Sequence, residues 1–311
     1  MQIYSALTVA IIAKNPATIK ETLASLILQT IPPREVIVIG FEADLEKIVS
    51  SFNGKLNVQF IYEPNMNISD THNKILEITD CSLLAYLGDD CQAAPDWVKR
   101  MLQAHNKYSS IAIQGRTLSL PENSVFGIIE QFNQNNLIRD NMLEDRNLYW
   151  DLIKGKHRKN SELLACDIRN LSLKINRIKR LHLKFNYSDE TGTDHEFAKQ
   201  MLSEEEHIVF YPEAIVYRQA EKSLKAFLKE AWEQGKSFAR ISNNWPPEYH
   251  PRTKKPSILR FFAFVYYCIR HKQFLKFPIL IVLFLTYQIA FEKGRREENK
   301  ISQNSLSFSI N

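Results

Sequence analysis

Cysteine is scarce in this sequence, with four residues at widely separated positions: Cys81, Cys91, Cys166 and Cys268. None of them forms a C-x-x-C pair, and the spacing matches neither a disulfide framework nor a zinc site. We therefore expect reduced thiols in a cytosolic protein. The first residues, MQIYSALTVAIIAKN, have no basic start and no small-residue cleavage site, so they do not predict a signal peptide.

Glycine-rich motifs are missing too. The sequence contains no G-x-x-x-x-G-K-S/T, no G-x-G-x-x-G and no G-x-S-x-G. A phosphate-binding loop of that kind and a serine hydrolase site are therefore not expected. The eight histidines show no metal-ligand spacing. The net charge is only +5, and basic residues alternate with acidic ones, so no nucleic-acid partner is expected.

The sequence does contain an alternation of short apolar runs and helical patterns over its first third. The hydrophobic share of 44% and the charged share of 24% are those of a globular protein with a buried core. Strand-length apolar runs and segments with helical spacing follow one another, which predicts a doubly wound α/β sheet. The predicted strands are residues 7–12, 35–39, 57–62 and 82–87, and the predicted helices are residues 17–29 and 69–79.

Several of these strands are followed by residues suited to a ligand site. Asn15 follows the first strand, Gly40 the second, and the pair Asp89 and Asp90 the fourth. Doubly wound sheets bind ligands beyond the carboxyl ends of their strands, so this edge is the predicted site. A carboxylate there can hold a divalent cation that bridges a diphosphate. The alternative is that the acidic pair forms a turn or caps a helix predicted over Ala93–Lys107.

A second acidic group lies in the segment FNYSDETGTDHEF. It contains Asp189, Glu190, Asp194 and Glu196, and Gly192 permits a tight turn before a predicted helix. A carboxylate at the start of a helix is placed to act as a general base for an acceptor hydroxyl. The alternative is a helix cap beside a solvated acidic loop.

The order of the motifs along the chain is more specific than any one of them. The motifs are LTVAIIAKN, EVIVIG, EPNMNISDTHNKIL, LLAYLGDDCQAAPDWV, IQGRT, CDIRNLSLKI, GTDHEF and IVFYPEAIVY. In this order they resemble family 2 of the glycosyltransferases, from about residue 7 to about residue 240. The resemblance implies a GT-A fold, which is a doubly wound mixed α/β sheet flanked by helices. Here that fold would carry a C-terminal apolar helical extension.

The resemblance also implies a nucleotide-sugar donor at the carboxyl edge of the sheet and inversion at the transferred sugar. Asp89 and Asp90 match the family's diphosphate and metal motif, with Asp90 as the ligand of Mg²⁺ or Mn²⁺. Asp194 matches the catalytic base, and Glu196 is the alternative base. In this interpretation the base takes a proton from the acceptor, and the metal stabilises the leaving nucleoside diphosphate.

Other positions match or replace residues of the donor pocket. Asn15, Asn73 and Asn170 match positions that the family uses to line or shape that pocket. Where the family has an acidic residue after the second strand, this chain has Gly40-Phe41, with Glu42 next along the chain. His72 stands where the family has an arginine. We therefore add Glu42 and His72 to the predicted donor contacts.

Two further replacements concern the metal. Gly88 takes the place of the first carboxylate of the acidic triplet, and Arg218 takes the place of a histidine near the metal. These replacements predict weaker metal binding than is usual for the family, with Arg218 pairing directly with phosphate oxygens of the donor. The alternative is that Arg218 is a surface residue at a strand end.

The composition changes after the predicted catalytic domain, residues 1–242. Residues 243–257 form a Pro-rich linker, residues 258–296 an apolar helical segment with basic flanks, and residues 297–311 a tail predicted to be disordered. Neither apolar run in that segment reaches the roughly 20 residues that span a bilayer. Interfacial helices or a shallow hairpin on a membrane surface are therefore expected. The alternatives are a helical pair packed on the catalytic domain or a homodimer contact.

These features predict a cytoplasmic glycosyltransferase, peripheral on the inner face of the cell membrane. It would transfer a sugar to a glycan or lipid-linked acceptor during synthesis of a cell-surface glycan or glycolipid. One alternative is a nucleotidyltransferase, although AKNPAT is not the basic, glycine-rich phosphate loop that such an enzyme needs. The stronger alternative is a degenerate, non-catalytic member of the fold that binds a nucleotide sugar or a partner enzyme, because of the replacements described above.

Overall fold

The computed structural model describes most of the chain, in two compact units. The described residues are 7–121, 124–140, 161–186, 192–244 and 257–308. The first unit contains described residues 7–118, 161–186 and 192–219, and the second contains described residues 119–121, 124–140, 220–244 and 257–308.

Strands and helices alternate through the first unit as the hydrophobic pattern predicts. The strands are β1 Leu7–Ala13, β2 Glu35–Gly40, β3 Val58–Tyr62, β4 Leu83–Leu87, β5 Cys91–Ala93, β6 Ala112–Leu120, β7 Ser161–Glu162, β8 Asn170–Lys174 and β9 Ile208–Gln219. The described helices of the two units together are α1 Pro16–Ile27, α2 Asp44–Ser50, α3 Ile68–Ile78, α4 Trp97–Lys107, α5 Val125–Asp140, α6 Ile175–Arg180, α7 Thr193–Ser203, α8 Leu224–Asn244, α9 Ser257–Arg270 and α10 Phe277–Phe308, with a short 3-10 turn at Phe274–Lys276. Of these, α5, α8, α9 and α10 belong to the second unit.

The strands form one mixed sheet in the order β3-β2-β1-β4-β8-β6-β9-β5, and β7 pairs with β9. Strands β3, β2, β1 and β4 run parallel, whereas β8 is antiparallel to both β4 and β6, and β5 is antiparallel to β9. The predicted doubly wound mixed sheet is therefore confirmed. Because β8 runs antiparallel to β4, the start of β8 meets the carboxyl end of β4, with Asn170 opposite Leu87.

Helices cover the parallel strands, which explains why these strands are continuous apolar runs. Ile19, Leu23 and Leu26 of α1 are completely buried in the same core cluster as Val9 and Val36 of the sheet. The start of α1 is fixed by Asn15, whose side chain accepts the N–H of Ala17. The start of α7 is fixed by Gly192, whose φ of 94° lies in the left-handed region that favours glycine.

The second unit is a helical assembly around an aromatic core. Phe132, Phe227, Phe264 and Phe284 are buried together, and the rings of Phe264 and Phe284 stack with centroids 4.3 Å apart. Helices α8 and α10 approach closely at Gly235, where an added Cβ would lie 2.0 Å from the backbone oxygen of Phe291. A glycine there lets the two backbones pack directly.

The boundaries differ from the predicted domains in two ways. The contacts place residues 119–140 and 220–244 with the C-terminal helices, whereas the sequence assigns residues 1–242 to the catalytic domain. Helix α10 also continues to Phe308, beyond the predicted start of a disordered tail at residue 297. Contacts with α8 explain this extension, because Glu298 pairs with Arg240 at 2.7 Å. Most of the predicted linker, residues 245–256, lies outside the described residues.

Candidate active site

The acidic pair lies at the carboxyl end of β4, beside the end of β1. The Oδ2 atom of Asp89 accepts the backbone N–H groups of Lys14 at 2.7 Å and Asn15 at 3.0 Å. Burial raises the pKa of Asp89, although these two amide bonds oppose the effect. Asp89 therefore joins the ends of two neighbouring strands. The pair lies in a turn, in which the backbone N–H of Cys91 donates to the carbonyl oxygen of Gly88 at 3.0 Å, as one of the alternatives predicts. It does not cap a helix, because the chain next forms β5 and α4 begins only at Trp97.

Asp90 is bound by an arginine on β9. Its Oδ2 atom accepts Nε of Arg218 at 2.8 Å, and only 9% of the Arg218 side chain is exposed. Burial acts to raise the pKa of Asp90, but Arg218 and Arg169 outweigh burial and hold the pKa below its ordinary value. Asp90 is thus an ionised carboxylate in a positive environment. The side chain of Arg218 is mostly buried, and the residue lies opposite Cys91 where β9 pairs with β5. Arg218 is therefore not a surface residue.

Arg169 is a site residue that the sequence analysis did not identify. Its Nε and Nη2 atoms donate to the two carboxylate oxygens of Asp167, each at 2.9 Å. Its charge lowers the pKa of both Asp90 and Asp194, so it lies near both carboxylates. In the sequence, the position of Arg169 directly before β8 could have indicated a site residue. That position reaches the ligand edge of the sheet only because β8 runs antiparallel to β4.

Asp194 lies in the first turn of α7, as predicted. Its Oδ1 atom accepts the backbone N–H of His195 at 2.9 Å and lies 3.0 Å from Nδ1 of the same histidine. Burial acts to raise the pKa of Asp194, but His195 and Arg169 outweigh burial and lower it. The carboxylate is therefore ionised at neutral pH, which is the state that a general base requires.

Glu196, the alternative base, is bound within its own helix. Nε2 of Gln200 lies 2.8 Å from each of its carboxylate oxygens. Burial raises the pKa of Glu196. Asp194 and Glu196 thus differ in their charge environment, because the positive charge of Arg169 lowers the pKa of Asp194. The neighbouring residues Asp189 and Glu190 lie outside the described residues.

His72 is enclosed by aromatic rings. Its ring stacks on Phe185 at a centroid distance of 4.5 Å and meets the edge of Tyr86 at 5.0 Å. Burial lowers the pKa of His72 to about 3, so the ring is neutral at physiological pH. His72 therefore does not supply the positive charge of the arginine that it replaces.

Two of the predicted donor-binding asparagines have structural partners. Asn170 is completely buried, and its amide accepts Nε1 of Trp97 at 2.8 Å and donates to the carbonyl groups of Arg116 and Ala214. The Asn170 amide is thus engaged inside the protein, one residue after Arg169, and its place in the donor site stays a prediction. Asn73 uses both ends of its amide on the backbone of Phe185, at 2.8 Å each.

Asn15 and Glu42 are the exposed members of the predicted set. Asn15 lies at the carboxyl end of β1, and Glu42 lies in the turn after β2. The structure explains why no acidic side chain stands at Gly40 itself. A Cβ at that position would lie 2.7 Å from the Phe60 ring and 2.8 Å from Leu45.

The described residues do not form a protein-only metal site. They contain no group of three or more histidine, cysteine, aspartate or glutamate side chains placed to hold an ion. Asp90, the predicted ligand of Mg²⁺ or Mn²⁺, is bound to a guanidinium. A side chain at Gly88 would crowd its neighbours, since a Cβ would lie 2.8 Å from Oδ1 of Asp90 and 3.1 Å from Cγ of Arg169.

Comparison with known proteins identifies the family and the fold. A family model, "Glycosyl transferase family 2", matches residues 8–162. The mannosyltransferase PcManGT from Pyrobaculum calidifontis, solved with GDP-Man and Mn²⁺, aligns with a TM-score of 0.64 at 13% identity, over 95% of this chain and 87% of that chain. S. aureus TarS 1–349, solved with UDP-GlcNAc, aligns with a TM-score of 0.53 at 13% identity, over 96% of this chain and 92% of that chain.

A longer S. aureus TarS structure is also similar, with a TM-score of 0.52 at 13% identity over 93% of this chain, which spans 55% of that chain. No curated protein matches the chain in sequence. The similar structures share the GT-A arrangement of a mixed sheet with flanking helices. The family match and this fold agree with the order of motifs in the sequence, and the chain belongs to glycosyltransferase family 2.

Proposed function

We propose that this protein transfers a sugar from a nucleotide-sugar donor to an acceptor hydroxyl with inversion. The observation that carries the proposal is the place of the Asp194 carboxylate, which accepts the backbone N–H of Ile168 at 3.4 Å, one residue before Arg169. The charge of Arg169 lowers the pKa of both Asp194 and Asp90. Family membership supports glycosyl transfer, and the solved relatives hold GDP-Man or UDP-GlcNAc. A nucleoside-diphosphate sugar is therefore the proposed class of donor.

The proposed reaction is a single displacement. The acceptor oxygen bonds to the anomeric carbon of the donor while the bond from that carbon to the diphosphate oxygen breaks. Asp194 takes the acceptor proton, and the electron pair of the broken bond leaves with the nucleoside diphosphate. Asn15 and Glu42 are the proposed contacts to the nucleotide, because both are exposed beyond the carboxyl ends of parallel strands.

A second candidate is a non-catalytic protein that binds a nucleotide sugar or a partner enzyme. The neutral His72 and the missing carboxylate at Gly88 favour it. A panel of UDP- and GDP-sugars separates the two candidates, with release of the nucleoside diphosphate as the readout. We expect one donor to be consumed by the purified full chain. Saturable binding of a donor without consumption, with or without Mn²⁺, would favour the non-catalytic candidate.

The acceptor is proposed to be a glycan or a lipid-linked molecule in the synthesis of a cell-surface glycan or glycolipid. This part of the proposal depends on attachment of the enzyme to the inner face of the cell membrane. Delivery of the acceptor at a membrane surface would give that attachment a function. A homodimer through the apolar helices is the competing use of the same segment.

The pH dependence of kcat/KM distinguishes the two candidate bases. The reaction needs an unprotonated base, so activity falls as the pH drops through the pKa of that base. The pKa of Asp194 is lowered and that of Glu196 is raised. With Asp194 as the base, we expect kcat/KM to stay level from neutral pH down to about pH 5. If kcat/KM instead begins to fall above that pH, and Glu196→Gln does not show this fall, Glu196 would be the general base.

A further inference from the structure

Two ion pairs meet where the diphosphate of the donor is proposed to bind. Asp167 holds Arg169, and Asp90 holds Arg218 at 2.8 Å. The charge of Arg169 lowers the pKa of Asp90, and the charge of Arg218 acts to lower the pKa of Arg169. The two guanidinium groups are therefore neighbours. Two fixed cations therefore stand beside the carboxylate that was predicted to bind a metal.

The same positions oppose a divalent cation. The guanidinium of Arg218 has no lone pair to offer a metal. This guanidinium already occupies Oδ2 of Asp90, and a cation there would lie close to two positive charges. The space beside Gly88 is filled by Asp90, Cys91 and Arg169.

Building on the proposed function, we propose that Arg169 and Arg218 hold the diphosphate of the donor, so that transfer needs no divalent cation. A guanidinium presents five N–H donors in a plane and matches the oxygens of a phosphate. Asp167 occupies Nε and Nη2 of Arg169, which leaves Nη1 for an anion. A quarter of the Arg169 side chain is exposed.

Binding of UDP and GDP to the full chain, measured by calorimetry, tests this proposal directly. We expect the same Kd for the preferred nucleotide in EDTA and in Mn²⁺. Arg169→Ala and Arg218→Ala should each weaken binding by about tenfold to a hundredfold, because each removes charge-assisted hydrogen bonds. Arg218→Lys, which keeps the charge but not the fork, should lose less. The control is Arg177→Ala, which breaks an ion pair with Glu206 after the far end of β8.

The outcomes are distinct from those of the proposed function. Nucleotide binding that is abolished by EDTA and restored by Mn²⁺ would overturn the two-arginine proposal, and this result needs no variant. Metal-free binding that neither arginine variant weakens, with both variants folded by circular dichroism, would overturn it as well. Metal-free binding without turnover of any donor would instead count against glycosyl transfer.

Large apolar side chains are exposed at a spacing of three or four residues along α9 and α10, and Leu275, between the helices, is fully exposed. The opposite faces of the same helices already pack in the aromatic core, as Phe264 and Phe284 show. The exposed set is Leu259, Phe262, Tyr266, Ile269, Phe274, Leu275, Ile279, Val282, Leu285 and Ile289, here called the apolar face.

Basic residues accompany this face. Arg270, at the end of α9, and Lys272, in the turn that follows, are exposed close to Phe274 and Leu275 in the chain. Basic residues near a membrane surface are attracted to anionic headgroups. An apolar face with a basic margin therefore fits an anionic lipid surface better than it fits water.

Helix α10 is long and apolar enough to cross a membrane by its length and composition alone, within the described residues. Its packing opposes that arrangement. Helix α8 lies against α10 so closely that a Cβ at Gly294 would be 2.0 Å from the backbone oxygen of Trp232. Charged residues such as Lys229 and Glu233 on α8 would enter the hydrocarbon with a spanning α10, at high cost.

We infer that the apolar face docks on an anionic membrane surface, with α9 and α10 lying in the interface. Flotation of the full chain with neutral vesicles and with vesicles containing phosphatidylserine tests this inference. We expect binding to the anionic vesicles only, and a loss of at least tenfold in Phe262→Glu and Val282→Glu. Leu28→Glu, at an exposed leucine of the first unit, is the matched control and should bind normally.

Two results would overturn membrane docking. One is the absence of binding to either kind of vesicle. The other is a dimer in sedimentation experiments that Phe262→Glu or Val282→Glu converts to monomer, because a second copy of the chain would then cover the apolar face.

Discussion

Replacing Asp194 with asparagine should lower kcat by about a hundredfold to ten-thousandfold, which is the usual contribution of a general base. Asparagine has nearly the shape of aspartate, and its oxygen can still accept the N–H of His195 at the start of α7. Folding and donor binding should therefore persist while proton transfer is lost. The measurements are kcat with the preferred donor and the Kd of its nucleotide.

Glu196→Gln is the matched control, because it makes the same chemical change two residues further along α7. Its contacts to Gln200 lie within α7, so we expect kcat to stay within about threefold of the parent. Normal activity in Asp194→Asn together with a large loss in Glu196→Gln would exchange the two roles.

The second large effect is expected on stability. Asn170→Ala removes the partners of three buried groups, namely Nε1 of Trp97 and the carbonyl oxygens of Arg116 and Ala214. An unsatisfied buried polar group costs about 1–3 kcal/mol, so the free energy of unfolding should fall by about 3–5 kcal/mol. Denaturant unfolding followed by circular dichroism measures the change.

Asn73→Ala is the comparison for that experiment. It removes two hydrogen bonds to the backbone of Phe185, at a position that is only half-buried. Water can replace part of what is lost, so we expect about 1–2 kcal/mol. A smaller loss in Asn170→Ala than in Asn73→Ala would show that the three hydrogen bonds of the buried amide do not stabilise the fold as expected.

Much of the first unit could be predicted from hydrophobic pattern alone. The run predicted over residues 7–12 is β1, Leu7–Ala13, and the run over 35–39 is β2, Glu35–Gly40. Continuous apolar runs of that length belong to parallel strands covered on both faces, so the pattern had one simple interpretation. Strand β5 was missed, since three residues carry no periodicity and Cys91–Ala93 forms a strand only by pairing with β9.

The candidate site was only partly predictable, because a sequence does not show strand orientation. Asp89 and Asp194 could be found, since each follows or begins an element with a clear pattern. Arg169 could not, because its importance depends on β8 running antiparallel to β4. The same pairing buries Asn170, which the motif order had assigned to the donor pocket.

The second unit shows the same limit. The apolar runs of α9 and α10 were visible, but the sequence did not show that Phe132 of α5 and Phe227 of α8 join them in one core. These contacts link segments far apart in the chain. The packing of α8 on α10 also explains why a polar C-terminal stretch is helical where a disordered tail was predicted.

The stereochemistry of donor cleavage tests the central claim most directly. The full chain is given the α-linked nucleotide sugar that it consumes, and the anomeric proton of the first product is followed by NMR before the free sugar equilibrates. Inversion by an attacking oxygen activated by Asp194 predicts a β-configured product, formed by the parent protein and not by Asp194→Asn. An α-configured product, or equal rates in the two proteins, would contradict it.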